Sequence, residues 1–257
     1  MKINKIKCKT ALSKSNLPGL DYSLNPYRGC QHNCAYCYVP NVLKISRDKW
    51  GSFVDIKTNI PNILSKELKN KKIGVVAIST VTDPYQPTEK KYRLTRYCLE
   101  QLLIHDFPIC IQTKSDLILR DVDLISKFSD AEIMISIGTI NDNDRKKLEP
   151  NSSSIEKRLK VIEFFSEIGI KNSVFFGPIY PTIKLSEISK IIDTFKSHNV
   201  KEIMIDKLNL KPGIKENIIR VFPPYKSLIE DSNYYQKLFS EINKLCKEKN
   251  VKSVSAF

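Results

Sequence analysis

Three of the chain's seven cysteines, Cys30, Cys34 and Cys37, fall within eight positions of the stretch NPYRGCQHNCAYCY at 25–38. Thiolates are soft ligands that suit zinc or the iron of iron–sulfur clusters. A structural zinc site closes with four protein ligands, and a fully ligated cluster also takes four cysteines. Three thiolates leave three alternatives open, of which a distant fourth cysteine, Cys8, Cys98, Cys110 or Cys246, carries no local pairing signal. His32 could complete a zinc site, although it stands only two residues from Cys30 and from Cys34, which strains the loop. Otherwise the three thiolates hold a [4Fe–4S] cubane and leave one iron free, and a free metal position is what catalysis needs. An amino acid could fill that corner with its amine and carboxylate. Cys8, Cys98, Cys110 and Cys246 stand singly and read as small core or surface residues.

Such a loop needs a scaffold that aims it. Short β-rich apolar runs at 20–25, 73–79, 108–113, 131–137, 172–177 and 201–206 alternate with helical patterns. Helices are expected at 61–70, 88–105, 121–128, 154–168 and 184–198, with a last one at 231–248. Within 88–105, Tyr92, Thr95, Leu99 and Leu102 form one stripe; within 154–168, Ile155, Leu159, Ile162 and Phe165 do the same. Repeating βα units predict an α/β fold with a parallel sheet, here a partial (β/α)6 barrel of TIM type over 1–210. Residues 211–257 read as a short helical extension packed on it. Parallel α/β folds gather chemistry at the C-terminal ends of their strands. The cysteine loop, STVTD at 79–83, TKS at 113–115 and Ser136 all fall there.

A chain of 257 residues with 41% hydrophobic and 27% charged residues has the composition of a soluble globular protein. The longest apolar run, IGVVAI at 73–78, is far too short to span a bilayer, so no membrane partner is expected. The start, MKINKIKCKT, has no apolar signal-peptide region, and an odd cysteine count with three clustered fits a metal site in a reducing compartment. A cytoplasmic location is expected. A formal net charge of +14 suits a nucleic-acid partner, although its lysines are spread along the chain rather than gathered in one arm.

The C-x3-C-x2-C spacing, with an aromatic just before the last cysteine, resembles the radical S-adenosylmethionine (SAM) superfamily. TVTDPYQPTEKKYRLTR at 80–96, TKSDLILRDVDLI at 113–125 and LEP at 148–150 followed by Arg158 look like its spore photoproduct lyase-like group, often labelled DNA repair photolyases. The likeness runs from about residue 15 to about 210. It implies a [4Fe–4S] cluster on Cys30, Cys34 and Cys37, with SAM on the free iron. One electron would cleave SAM to a 5′-deoxyadenosyl radical, which takes a hydrogen from the substrate. An electron donor such as flavodoxin or ferredoxin is implied as partner. By position, Tyr36 would lie against the adenine, Thr82 would meet the SAM amine with Asp83 beside it, and Lys114 would pair with the methionine carboxylate. Ser136 would bond near the ribose, and Glu149 and Arg158 would be SAM contacts or a layer behind them, unless they are an exposed ion pair of small effect.

Spore photoproduct lyase uses a thiol as hydrogen donor after its second strand, where this sequence has Thr80. A hydroxyl is a poor hydrogen-atom donor, which argues against repair of spore photoproduct. Tyr38 matches a tyrosine of that group's hydrogen relay; packing at the rim is its plain alternative. Tyr85 reads as a rim aromatic on a loop fixed by two prolines. RVFPPYK at 220–226 mixes basic and aromatic residues that could stack a base, though such segments more often pack their rings inward. The substrate reads as a nucleic-acid base, with a protein or small metabolite as alternative. A zinc-stabilised nucleic-acid-binding module is the reading from another class; it leaves Thr82 and Lys114 without a shared purpose.

Overall fold

The computed structural model describes residues 1–226 and 233–256. The side chain of Tyr225, in the basic and aromatic phrase at 220–226, and positions 231–232 of the last expected helix lie outside the described residues. The strands are β1 (Lys2–Ile6), β2 (Leu12–Lys14), β3 (Tyr22–Leu24), β4 (Tyr27–Arg28), β5 (Phe53–Lys57), β6 (Val76–Ile78), β7 (Ile109–Thr113), β8 (Ala131–Ser136), β9 (Lys171–Phe176), β10 (Glu202–Ile205) and β11 (Lys252–Ser255). The main sheet runs β11-β10-β9-β8-β7-β6-β3-β2, parallel throughout except for the antiparallel β2–β3 edge. Strands β1, β5 and β4 form a separate small sheet.

The helices are α1 (Val39–Leu43), α2 (Ile60–Leu68), α3 (Glu89–Tyr92), α4 (Leu94–Ile104), α5 (Val122–Ile125), α6 (Asp142–Leu148), α7 (Ile155–Glu167), α8 (Ile188–Ser197), α9 (Ile214–Val221) and α10 (Tyr234–Glu248). Each expected strand and helix has a counterpart, with two differences of consequence. The helix expected over 88–105 breaks at Arg93, whose φ of 51° is left-handed. The break has a cause: the Glu89 carboxylate turns back and accepts from the Thr95 amide at 3.0 Å, capping α4. The second difference is at the end of the chain. There KSVS forms β11, a seventh parallel strand beside β10, so the segment beyond 210 supplies a sheet edge as well as helices.

Alternation along the strands sorts the sheet into two faces. Ile111, Ile133, Val174 and Ile203 point under the covering helices and are fully buried. Their neighbours Cys110, Gln112, Phe175 and Met204 lie on the other face and remain half-buried. A filled barrel would pack bulky branched residues there. Here that face carries Cys110, Gln112, Phe175 and Met204, none of them branched at Cβ and all only partly buried. On the covered side, α7 starts at Ser154, whose hydroxyl accepts from the Lys157 amide, and buries Ile155, Leu159, Ile162 and Phe165. Arg158 shares this buried face and so points into the protein.

Candidate functional site

The cysteine loop leaves β4 through Gly29, whose φ of +88° is open to glycine and whose missing Cβ would stand 2.5 Å from the Phe53 carbonyl. Its carbonyls are taken up one after another by side chains from distant segments. Thr82 Oγ1 donates to Gly29 O at 2.7 Å and Asn151 to Gln31 O at 2.8 Å. Asn217 of α9 donates to Ala35 O at 2.8 Å, and Arg47 to Cys37 O at 2.9 Å. The Gln31 amide in turn donates to Gln86 Oε1 at 2.9 Å. The loop is thus fixed by five side chains from four segments while its three thiols stay free and mostly buried. Burial pushes the Cys30 thiol up to about 12 and Cys34 well above its ordinary value. A metal that binds them must displace their protons.

Among the described residues, no three His, Cys, Asp or Glu side chains converge on a point where one metal ion would sit. A single tetrahedral zinc needs that convergence. The donor set itself, three soft thiolates on one loop, fits an iron–sulfur cluster. His32 is buried with Nδ1 3.3 Å from Asp83 Oδ2, turned to a carboxylate rather than offered as a fourth ligand.

Asp83 ties three elements together. Its Oδ1 accepts from Thr113 Oγ1 at 2.7 Å and the Tyr85 amide at 2.9 Å, and its Oδ2 from the Lys114 amide at 2.9 Å. Burial opposes its charge, but His32 and Lys114 outweigh it and hold the carboxyl well below the usual range. Asp83 is therefore already engaged by the protein. Thr82 is also committed, since it accepts from Gln86 Nε2 at 2.9 Å while donating to Gly29. Tyr85, expected at the rim, is instead fully buried.

Lys114 is different. Among the described residues its ammonium has no ion-pair partner, and it stands 6.0 Å from the centre of the Tyr36 ring. Burial works against its charge, but Cys34, Glu149 and Asp83 more than compensate and raise its pKa. Tyr36 donates its phenol to Glu149, and Glu149 pairs with Arg158, both of them buried. The pair is an interior one, not the exposed contact that sequence left open. Arg158 also donates to Ser136 O at 2.7 Å and to Ser153 O at 2.9 Å. Burial would raise the Glu149 carboxyl, yet Arg158 and Lys114 beside it hold it at about 2. Ser136 Oγ accepts from Gln112 Nε2 at 3.1 Å, on the partly buried face of the sheet.

Tyr38, half exposed, donates its phenol to Thr80 O at 2.9 Å. Three site residues were missed in the sequence. Tyr180 packs its ring 5.9 Å from Tyr36. Asp206, half-buried at the end of β10, has its pKa raised by burial and acts on Tyr38. Trp50 packs on Cys30 and Cys37. The strand-end rule could have found Asp206; Tyr180 and Trp50 carry no local signal.

Known proteins give these positions a context. The radical SAM superfamily model matches residues 24–195. An uncharacterized protein of Methanocaldococcus jannaschii is 35% identical over 98% of this chain and 95% of its own length. A radical SAM Nα-GlyT isomerase of Pseudomonas phage M6 is 24% identical over 84% of this chain, which spans 45% of that enzyme. A mutant spore photoproduct lyase has the same fold, with a TM-score of 0.77 at 13% identity over 99% of this chain and 82% of that one. The same lyase complexed with dinucleoside spore photoproduct superposes with a TM-score of 0.75 at 13% identity, covering 99% and 82% of the two chains. Among the described residues no helix is long and apolar enough to cross a membrane. With the superfamily model spanning most of its length and a three-thiol loop at the strand ends, the chain belongs to the radical SAM superfamily.

Proposed function

We propose that this chain is a [4Fe–4S]-dependent radical SAM enzyme that abstracts hydrogen from a nucleic-acid base. When bound, the cluster and SAM together supply one-electron cleavage of a sulfonium and a carbon radical able to take hydrogen from a substrate. Cys30, Cys34 and Cys37 would hold the cluster, and Lys114 is available for the methionine carboxylate. Tyr36, fixed by Glu149, would present its ring to the adenine. Thr82 and Asp83 serve mainly to hold the cysteine loop and Lys114 in register, because their polar atoms already have partners.

The observation that carries the substrate reading is the contrast between this partly buried sheet face and the rim. On that face Ser79 and Ser173 are buried with hydroxyls that lack partners among the described residues, and Phe175 is half-buried. Lys171 and Lys252, at the far end of that face, are paired with Glu132 and Glu202 at 2.8 Å each. That face therefore suits a flat group with hydrogen-bonding edges. Exposed Lys207 and Lys211 lie outside it, on the loop that follows β10, and exposed Lys44 caps α1 after the cysteine loop; a phosphate backbone would run there. A base lifted out of its stack meets both conditions. The spore photoproduct lyase complex, with its dinucleoside ligand, supports this reading by analogy of fold. Lysines near the cysteine loop would also steer an acidic electron donor of flavodoxin or ferredoxin type.

Anaerobic reconstitution tests both parts. The expected product carries about four irons per chain and forms 5′-deoxyadenosine from SAM under reduction. Oligonucleotides should bind with an affinity that falls steeply with salt and should stimulate cleavage. Zinc-loaded protein without cleavage would end the radical reading. Cleavage indifferent to every oligonucleotide would move the substrate to a peptide or small metabolite.

A further inference from the structure

Trp50 is the chain's single tryptophan. It is buried, and it packs with Cys30 and Val39 against Cys37 and Val81. Its ring nitrogen is buried as well, and among the described residues it has no hydrogen-bond partner of good geometry. Indole N–H is a donor only, so nothing but an acceptor can satisfy it. A buried donor left without one is destabilising. The fold nevertheless holds the ring firmly in place. Arg47, one turn earlier, is clamped between Cys37 O at 2.9 Å and Asn41 Oδ1 at 2.5 Å. The Trp50 amide donates to Arg47 O at 3.1 Å. Gly51, with a φ of +81°, lies so close to the Asn33 side chain that a Cβ there would stand 2.3 Å from it. The turn is thus pinned to the cysteine loop on both sides of the indole.

The neighbouring sulfur is that of Cys37. It packs against the hydrophobic cluster that holds the ring, with the indole N–H beside it. A thiol is a weak acceptor; a metal-bound thiolate is a strong one. The missing partner of Trp50 is therefore the one that metal loading creates.

We propose that the Trp50 indole N–H donates a hydrogen bond to the metal-bound sulfur of Cys37 and so raises the reduction potential of the cluster. This rests on reading the loop as a cluster site. Hydrogen bonds to cluster sulfurs stabilise the more negative, reduced state, and they are one of the protein's levers on potential. Trp50 is a positioning and tuning residue; it is not assigned any contact with SAM or substrate.

Because no other tryptophan is present, the indole gives one assignable resonance. In 15N-labelled protein, metal loading should move that 1H–15N peak downfield and slow its exchange with solvent. A peak unchanged while the loop binds metal would overturn the proposal. This arm reads out with iron or with zinc, so it is separate from the iron content that judges the function. In the reconstituted enzyme, Trp50→Phe keeps the ring and removes the N–H. The variant should hold as much iron as the parent and have a more negative midpoint potential by redox titration. An equal potential at equal iron content would overturn the claim. Should Trp50→Phe fail to fold, the wild-type resonance still decides it.

Discussion

Two buried carboxylate–arginine systems lie on either side of the loop after β6, and they behave in opposite ways. At the site, Glu149 meets Arg158 with Lys114 nearby, so one carboxylate faces two cations. Behind the loop, Arg120 bridges Glu89 at 2.6 Å and Asp121 at 2.7 Å, and Arg96 joins Asp121 at 3.1 Å. Tyr27 and the Thr95 amide also donate to Glu89. Excess positive charge holds Glu149 ionised, whereas burial outweighs Tyr27 and Arg120 and raises the pKa of Glu89. The same residue types thus make two devices. One keeps a negative charge fixed beneath the position expected for SAM, and the other clamps α3, α4 and the segment before α5 together. A charge cluster becomes a site when one of its members, here Lys114, has no ion-pair partner among the described residues.

The largest expected effect tests the first device. Glu149→Gln removes the only carboxylate hydrogen-bonded to Arg158 among the described residues. Two cations are then left with too little negative charge in the interior. Breaking a buried pair in this way costs about 3–5 kcal/mol. Urea denaturation at pH 7 would show it as a lowered midpoint with an unchanged slope. Glu89→Gln should cost less, about 1–3 kcal/mol, because Arg120 keeps Asp121 while the Tyr27 and Thr95 donors lose a charged acceptor. If the two variants were equally destabilised, the distinction between the systems would fail.

Much of the first device was legible in the sequence and little of the second. The cysteine spacing, Lys114 and the strand-end rule marked the site, because strand ends and soft-ligand spacing are local signals. Glu149 and Arg158 could be named together, but an interior pair and an exposed one look alike without burial. The resemblance placed Thr82 and Asp83 at SAM; their bonds to Gly29, Thr113 and Lys114 depend on three strands meeting, which no local pattern shows. The Glu89 cap was hidden inside an uninterrupted helical stripe. There a carboxylate contact six residues ahead overrode the periodicity. Strand β11 escaped because an edge strand of four residues, with two serines and a lysine, has little apolar alternation to read. Its place in the sheet comes from α10 returning the chain beside β10.

The smallest effect is also the one with a sign that separates the two devices. Glu149 has a depressed folded pKa, about 2 against an ordinary 4.5. The unfolded chain binds its proton first, so the stability this group supplies is complete above pH 4.5 and is lost as pH falls toward 2. Glu89 has a raised folded pKa. The folded chain holds that proton longer, so its contribution is complete below pH 4.5 and declines as pH rises through the folded value. One carboxyl can change stability by at most about 1.4 kcal/mol per pH unit. Urea midpoints measured from pH 2 to pH 7 should therefore show Glu149→Gln flattening the acid limb alone. Glu89→Gln should leave that limb intact and remove a falling contribution above it. A variant that flattened both limbs would mean the two carboxylates titrate as one system. The loop between them would then be an electrostatic link rather than a partition.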